Sequence, residues 1–163
     1  MTVLRIGVLT CSDTRAAGEA EDTSGKAIVD ICEERGWIVS AYHVVPDEHE
    51  SIACALIEMC DVDEVDILLS TGGTGLGPRD VCPETTLAHS EREVPGIAEA
   101  IRAESMRITP RAMLSRGVAA QRGHTLIINL PGSEKAVRES LGVVIDQLEH
   151  AAEMMAGGGH GRG

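Results

Sequence analysis

The stretch Asp66-Ile67-Leu68-Leu69-Ser70-Thr71-Gly72-Gly73-Thr74-Gly75-Leu76-Gly77-Pro78-Arg79-Asp80 joins a short apolar run to a glycine-rich loop. Asp66 to Ser70 has the length and Ile/Leu content of a strand buried on both faces. A loop rich in glycine directly after such a strand is characteristic of open α/β sheets, which bind ligands beyond the carboxyl ends of their strands.

Working outward, Leu4 to Thr10 and Ile38 to Val45 read as two further strands. Between the strands, Ser24 to Arg35 and Glu48 to Cys60 carry apolar residues at intervals of three and four (Ile28, Ile31, Cys32; Ile52, Ala55, Leu56, Met59), as amphipathic helices do. Strand and helix alternate, which predicts right-handed crossovers and a parallel sheet. Downstream, helices are expected from Pro83-Glu84 and over Pro95 to Met106. Leu114 to Gln121, a turn at Arg122-Gly123, and Thr125 to Leu130 read as a strand, a turn and a strand. Ser133 is placed to cap a last helix reaching Met155. The expected fold is α/β and three-layered: a mostly parallel twisted sheet, helices on both faces and an antiparallel hairpin contribution. One domain over residues 1–156 is expected, followed by a disordered glycine-rich tail over 157–163, which has nothing to bury.

In the loop, four glycines within Gly72 to Gly77 remove side chains that would keep a phosphate from the backbone, and they permit the positive φ angles that converge N–H groups on one point. Thr71 and Thr74 add hydroxyls. A nucleotide P-loop would need Lys at position 78 and a dinucleotide loop would need Gly there; the residue is Pro78. Asp80 repels a bare phosphate, so one role for it is to hold a divalent metal, for which Mg²⁺ is expected; the other is to cap a helix or pair with Arg79. Asp47, just beyond the preceding strand, either opens onto the same crevice or belongs to a D-x-x-E capping box with Glu50. Asp13, Asp22 and Ser24 would line the same edge, and each is equally a turn or cap residue.

Composition excludes some functions. The net charge is -12, and Trp37 and Tyr42 are the only aromatics, so the chain lacks the basic, aromatic surface that nucleic acids require. Five widely spaced cysteines with no C-x-x-C indicate neither a disulfide framework nor a zinc site. No run reaches membrane-spanning length and the start lacks a cleavage-like site, so a cytoplasmic protein is expected.

Val45-Pro46-Asp47-Glu48, the loop Thr71 to Asp80 with Val81-Cys82-Pro83-Glu84, Glu91 to Gly96, Met113-Leu114-Ser115-Arg116 and Ile127 to Ser133 occur in an order that resembles the MogA/MoaB molybdenum cofactor biosynthesis family over nearly the whole chain. Active members of that family use ATP and Mg²⁺ to adenylylate molybdopterin and release pyrophosphate. The resemblance implies that Asp47 and Asp80 are the important carboxylates. It implies that Thr71, Gly72, Gly73, Thr74, Gly75 and Gly77, with Arg79, contact substrate phosphates, and that Leu130-Pro131-Gly132-Ser133 lines the pterin side. Ser12, Asp13, Asp22, Ser24 and Gly25 match further substrate-binding positions. It also implies a homotrimer, paired into hexamers in some members, and contact with the molybdenum-insertion protein. The competing reading is a non-catalytic paralogue that binds molybdopterin as a scaffold. The chain departs from the family at Cys82, where Thr is common, which predicts a weaker helix cap.

Overall fold

A computed structural model describes residues 2–158. Seven α-helices surround a six-stranded sheet among those residues. The strands are β1 (Arg5–Cys11), β2 (Ile38–Val45), β3 (Ile67–Thr71), β4 (Arg92–Glu93), β5 (Ala119–Arg122) and β6 (Thr125–Leu130). The helices are α1 (Asp13–Ala16), α2 (Thr23–Glu34), α3 (His49–Asp61), α4 (Cys82–Ala88), α5 (Pro95–Met106), α6 (Glu134–Val144) and α7 (Leu148–Met155). Strand order is β2-β1-β3-β6-β5-β4. The first four are parallel, and β5 and β4 add antiparallel pairings at one edge.

Alternation along the central strands sends apolar side chains to both faces. Ile6, Val8, Ile67, Leu69, Leu126 and Ile128 pack with α2, α5, α6 and α7. Leu9, Leu68 and Ile127 pack on the opposite side with Ile52, Leu56 and Met59 of α3 and Cys82 of α4. The three-layer expectation is therefore met. Asn129 is one of several buried polar residues of the sheet: its amide donates to Ser70 Oγ (2.9 Å) and Thr86 Oγ1 (3.1 Å), and its oxygen accepts from the Val118 N–H (3.2 Å). It ties β6, β3 and α4 together.

Three sequence expectations need correction. Leu114 to Val118 is not strand: Pro110–Leu114 forms a 3-10 helix, and the segment that follows donates the Arg116 N–H to Thr74 O (2.9 Å) instead of to a sheet neighbour. The helix from Ser133 is interrupted by a 3-10 turn at Ile145–Gln147. Cys82 is not a cap; Val81 holds that position without a side-chain hydrogen bond, and Cys82 is buried, 3.9 Å from Cys11 Sγ and 3.5 Å from Ser70 Oγ. Of the expected tail, Gly157 and Gly158 hydrogen-bond back to Met154 and Glu153, and the rest lies outside the described residues.

Candidate functional site

Four strands end at one edge of the sheet in matched register. Thr10 pairs with Thr71 and Thr71 with Leu130, while Cys11 pairs with Val45. The segments that follow therefore converge: Ser12-Asp13, Pro46-Asp47, the glycine loop, and Pro131-Gly132-Ser133. The strand order reverses between β1 and β3, the switch point where sheets of this type open a crevice. β2 and β3 are not neighbours, because β1 stands between them.

The loop is shaped by glycine where no other residue fits. Gly72 has φ +91°, and a Cβ there would run into the backbone carbonyl of Cys11. Gly73 has φ +67°, and its carbonyl accepts from the Cys82 N–H (3.2 Å). Thr71 Oγ1 donates to Pro131 O (2.6 Å), and a Cβ on Gly132 would lie 3.5 Å from Gly72 Cα, so the loop and the Pro131 turn are in contact. At the far end the Gly77 N–H donates to Asp80 Oδ2 (2.9 Å) and Asp80 N–H to Gly77 O (3.0 Å). A Cβ on either Gly75 or Gly77 would lie 2.9 Å from that carboxylate oxygen. Among the described residues, the N–H groups of Gly73, Thr74, Gly75 and Leu76 donate to no protein acceptor. Consecutive unpaired donors of this kind form an anion-binding concavity.

Asp47 and Asp13 hold each other. Asp13 N–H donates to Asp47 Oδ2 and Asp47 N–H donates to Asp13 Oδ1, both at 3.0 Å. Arg79 grips Asp13 with two hydrogen bonds of 3.0 and 2.9 Å, and these hold the Asp13 carboxyl below its ordinary pKa. Asp47 is shifted the other way. Burial raises it, the Asp13 and Asp80 charges add to the rise, and the Asp13 N–H and Arg79 oppose it. Its Oδ1 is the one buried side-chain polar atom without a hydrogen-bond partner among the described residues, and a Cβ on Gly73 would lie 3.3 Å from it.

The alternatives left open by sequence are now distinguishable. α3 is capped at Glu48 without a side-chain bond, so Asp47 is not a capping residue. Asp80 neither caps α4 nor pairs with Arg79, whose partners are Asp13 and, at 3.8 Å, Glu48. A buried, bare carboxylate oxygen is costly unless something cationic meets it. Asp47, with the Asp80 charge near it, could hold a divalent cation at that oxygen. No group of three or more His, Cys, Asp or Glu that could hold a metal occurs among the described residues. The remaining positions would fall to substrate oxygens and water, which is how Mg²⁺ usually binds.

The other expected substrate positions form a second cluster whose hydrogen bonds are structural. Ser12 caps α1 by accepting from Arg15 N–H (3.2 Å), Asp22 caps α2 by accepting from Gly25 N–H (3.1 Å), and Ser133 caps α6 through Ala136 N–H (3.2 Å). Asp22 also accepts from Thr10 Oγ1 (2.7 Å) and from the Tyr42 hydroxyl. A Cβ on Gly25 would collide with the Asp22 carboxylate. Arg15, not singled out from sequence, donates to Ser24 Oγ and lies 3.4 Å from both Asp22 Oδ1 and Gly132 O, joining this cluster to the Pro131 turn.

Beside the loop lies a cavity of about 300 Å³, bounded by Thr74, Gly75, Ser115 and Pro131 and by Arg102 and Ser140 of α5 and α6. Of the Leu130-to-Ser133 turn only Pro131 lines it. Sequence reading also missed Ser115 and Arg116 as individual residues, although they stood inside the quoted Leu114-Ser115-Arg116 run. Arg116 donates to Gly75 O and to Asp80 O, each at 2.7 Å, and pairs with Glu84.

Unpaired loop donors, an adjoining acid pair and a cavity come together at the switch point of an α/β domain. The chain belongs to the family described as probable molybdopterin binding domain, which matches residues 7–150. It is 38% identical over 161 residues to molybdopterin adenylyltransferase of Helicobacter pylori (strain J99), covering 96% of this chain and 90% of that one. It is 38% identical over 154 residues to molybdopterin adenylyltransferase of Escherichia coli (strain K12), covering 90% and 76%. The fold matches the molybdopterin biosynthesis enzyme MoaB of Thermus thermophilus with a TM-score of 0.89 at 47% identity, covering 95% and 98%.

Proposed function

We propose that this chain transfers the adenylyl group of ATP to molybdopterin, with Mg²⁺, releasing pyrophosphate. The observation that carries the reading is the bare Asp47 Oδ1 set against a loop of unpaired N–H groups: one cation-seeking group and one anion-seeking surface, side by side. Family membership and the adenylyltransferase relatives support it.

In this reading a phosphate oxygen of molybdopterin attacks the α-phosphorus of ATP, the bond to the β-phosphate oxygen breaks, and pyrophosphate leaves. Such a reaction asks for in-line positioning and neutralised charge more than for a strong base. The N–H groups of Gly73 to Leu76 meet phosphate oxygens. Arg79 is exposed at the mouth, where its Nη1, outside the bonds to Asp13, meets a phosphate oxygen in this reading. The Pro131 side of the adjoining cavity receives the pterin. Asp47 and Asp80 would hold Mg²⁺, which supplies charge neutralisation to the phosphates. Asp13, tied to both Asp47 and Arg79, orients the two of them.

The test is to incubate purified protein with molybdopterin, ATP and Mg²⁺ and to follow adenylylated product by mass. Product is expected, and Asp80→Asn should fold normally while losing turnover by about a hundredfold or more, as when a transition-state charge partner is removed. Molybdopterin binding without product would instead favour a scaffold role. Full activity in Asp80→Asn would remove that residue from the site.

The same reading extends to a homotrimeric, cytoplasmic protein, in some states a pair of trimers, that delivers its product to the molybdenum-insertion protein. An apolar groove lined by Val94, Ile97, Val143, Leu148 and Ala151 offers surface for self-association, and no helix among the described residues is long and apolar enough to cross a membrane. Light scattering would give the assembly size.

A further inference from the structure

Arg116 belongs to a sequence run that the acid pair and the glycine loop do not account for, yet its bonds go almost entirely to that loop. Its N–H donates to Thr74 O (2.9 Å), its Nε to Gly75 O (2.7 Å), and one terminal nitrogen to Asp80 O (2.7 Å). The other terminal nitrogen pairs with Glu84 at the start of α4, and the side chain is 33% exposed. Within a trans peptide the C=O and the following N–H point in opposite directions. Fixing Thr74 O and Gly75 O toward Arg116 therefore turns the N–H groups of Gly75 and Leu76 away from it, and these are among the loop donors that no protein group accepts. Holding Asp80 O fixes the backbone of the same residue whose carboxylate takes the Gly77 N–H.

We propose that Arg116 is a positioning residue that aims the Gly75 and Leu76 N–H groups at the phosphates of the nucleotide. A glycine-rich segment left to itself samples many peptide orientations, because glycine restricts φ and ψ so little. Arg116 constrains three carbonyls at once, Thr74 O through its backbone N–H and Gly75 O and Asp80 O through guanidinium donors set in a rigid fork geometry that an ammonium cannot copy. Glu84 holds the fork from behind. The phosphate-facing donors are thereby preorganised, and the cost of ordering the loop is removed from the binding step.

This inference rests on the loop receiving nucleotide phosphates, so its test uses inorganic pyrophosphate, which needs no turnover. In wild-type protein, pyrophosphate should move the amide NMR resonances of Gly75 and Leu76. In Arg116→Ala the pyrophosphate affinity should fall by about tenfold to a hundredfold, the range of one lost charge-assisted hydrogen bond, and added guanidinium at sub-denaturing concentration should restore part of it. Arg116→Lys, which keeps the charge and guards against misfolding of the alanine variant, should still lose about tenfold because it lacks the fork. In the adenylylation assay the ATP KM should rise in both variants by a larger factor than the molybdopterin KM, whose pterin end lies on the Pro131 side of the adjoining cavity. Unchanged pyrophosphate affinity in Arg116→Lys, or wild-type Gly75 and Leu76 amides indifferent to pyrophosphate, would overturn the proposal. Wild-type protein that binds pyrophosphate at those amides but makes no adenylylated product would instead sink the enzymatic reading and leave this one standing.

Discussion

Replacing Gly72 by Ala tests whether the loop is held in its shape by the contact beneath it. Gly72 has φ +91°, where an L side chain costs about 1–2 kcal/mol. The new methyl would also press on the Cys11 carbonyl, a backbone group at the end of the buried strand β1 with little freedom to retreat, and overpacking of this kind costs about 1–3 kcal/mol. Together they predict a loss of about 2–5 kcal/mol. Gly123 supplies the control: its φ is +55°, but a Cβ there would meet nothing within 4 Å, so Gly123→Ala should cost only the backbone share of about 1–2 kcal/mol. Urea denaturation followed by fluorescence of Trp37, the single tryptophan and a buried one, gives both values in one protein. A loop that escapes strain by swinging outward would show a smaller stability loss, and pyrophosphate affinity would fall instead. Equal destabilisation by the two substitutions with pyrophosphate affinity intact would refute the reasoning.

Two further predictions concern the scaffold. Asn129→Ala strips partners from Ser70, Thr86 and the Val118 N–H inside the sheet and should cost about 2–3 kcal/mol in chemical denaturation; a loss under about 0.5 kcal/mol would mean that water replaces the amide. Asp61 is paired with Arg122 (2.6 Å), which lowers its pKa, chiefly through hydrogen bonding and then charge. A carboxyl whose folded pKa lies below the unfolded value of about 3.9 stabilises above that value and loses its contribution as pH falls through the folded one. The Asp61 carboxylate is nearly half exposed, so Asp61→Asn should cost only about 0.2–1 kcal/mol at neutral pH, shrinking with salt and disappearing in acid. A gap that persisted in acid would assign the effect to shape, not charge.

Most of the fold was legible because the chain writes it as hydrophobic pattern. Ile38–Val45, Pro95–Met106 and Thr125–Leu130 occur at the bounds expected of them; Thr125–Leu130 is buried throughout, while Ile38–Val45 is an edge strand that stays partly exposed. What failed lacked such a signal or carried a misleading one. β4 is two exposed residues, Arg92 and Glu93, and exists only because β5 offers an edge to pair with. Leu114 to Val118 precedes the apolar Ala119-Ala120 and reads as one strand with it, but Pro110 starts a 3-10 turn that takes in Leu114, and the Arg116 N–H is taken by Thr74 O. Tertiary contact decided that segment, and a local pattern cannot encode it.

The site was legible to the extent that strand ends predict convergence, and no further. Sequence pointed to Asp47, Asp80 and the loop between them, but it could not say which acid keeps a free oxygen, because that depends on the register of β1 against β2. Cys11 pairs with Val45, so Asp13 and Asp47 both stand two residues beyond the last pair and exchange N–H to carboxylate bonds. A slip of one residue would set Pro46, which has no N–H to give, against Asp13. In the observed register the exchange uses one oxygen of Asp47, Arg79 occupies both oxygens of Asp13, and Asp47 Oδ1 is left bare beside Gly73. Strand pairing therefore divides these two acids into one whose oxygens are both taken by Arg79 and one that keeps an oxygen free.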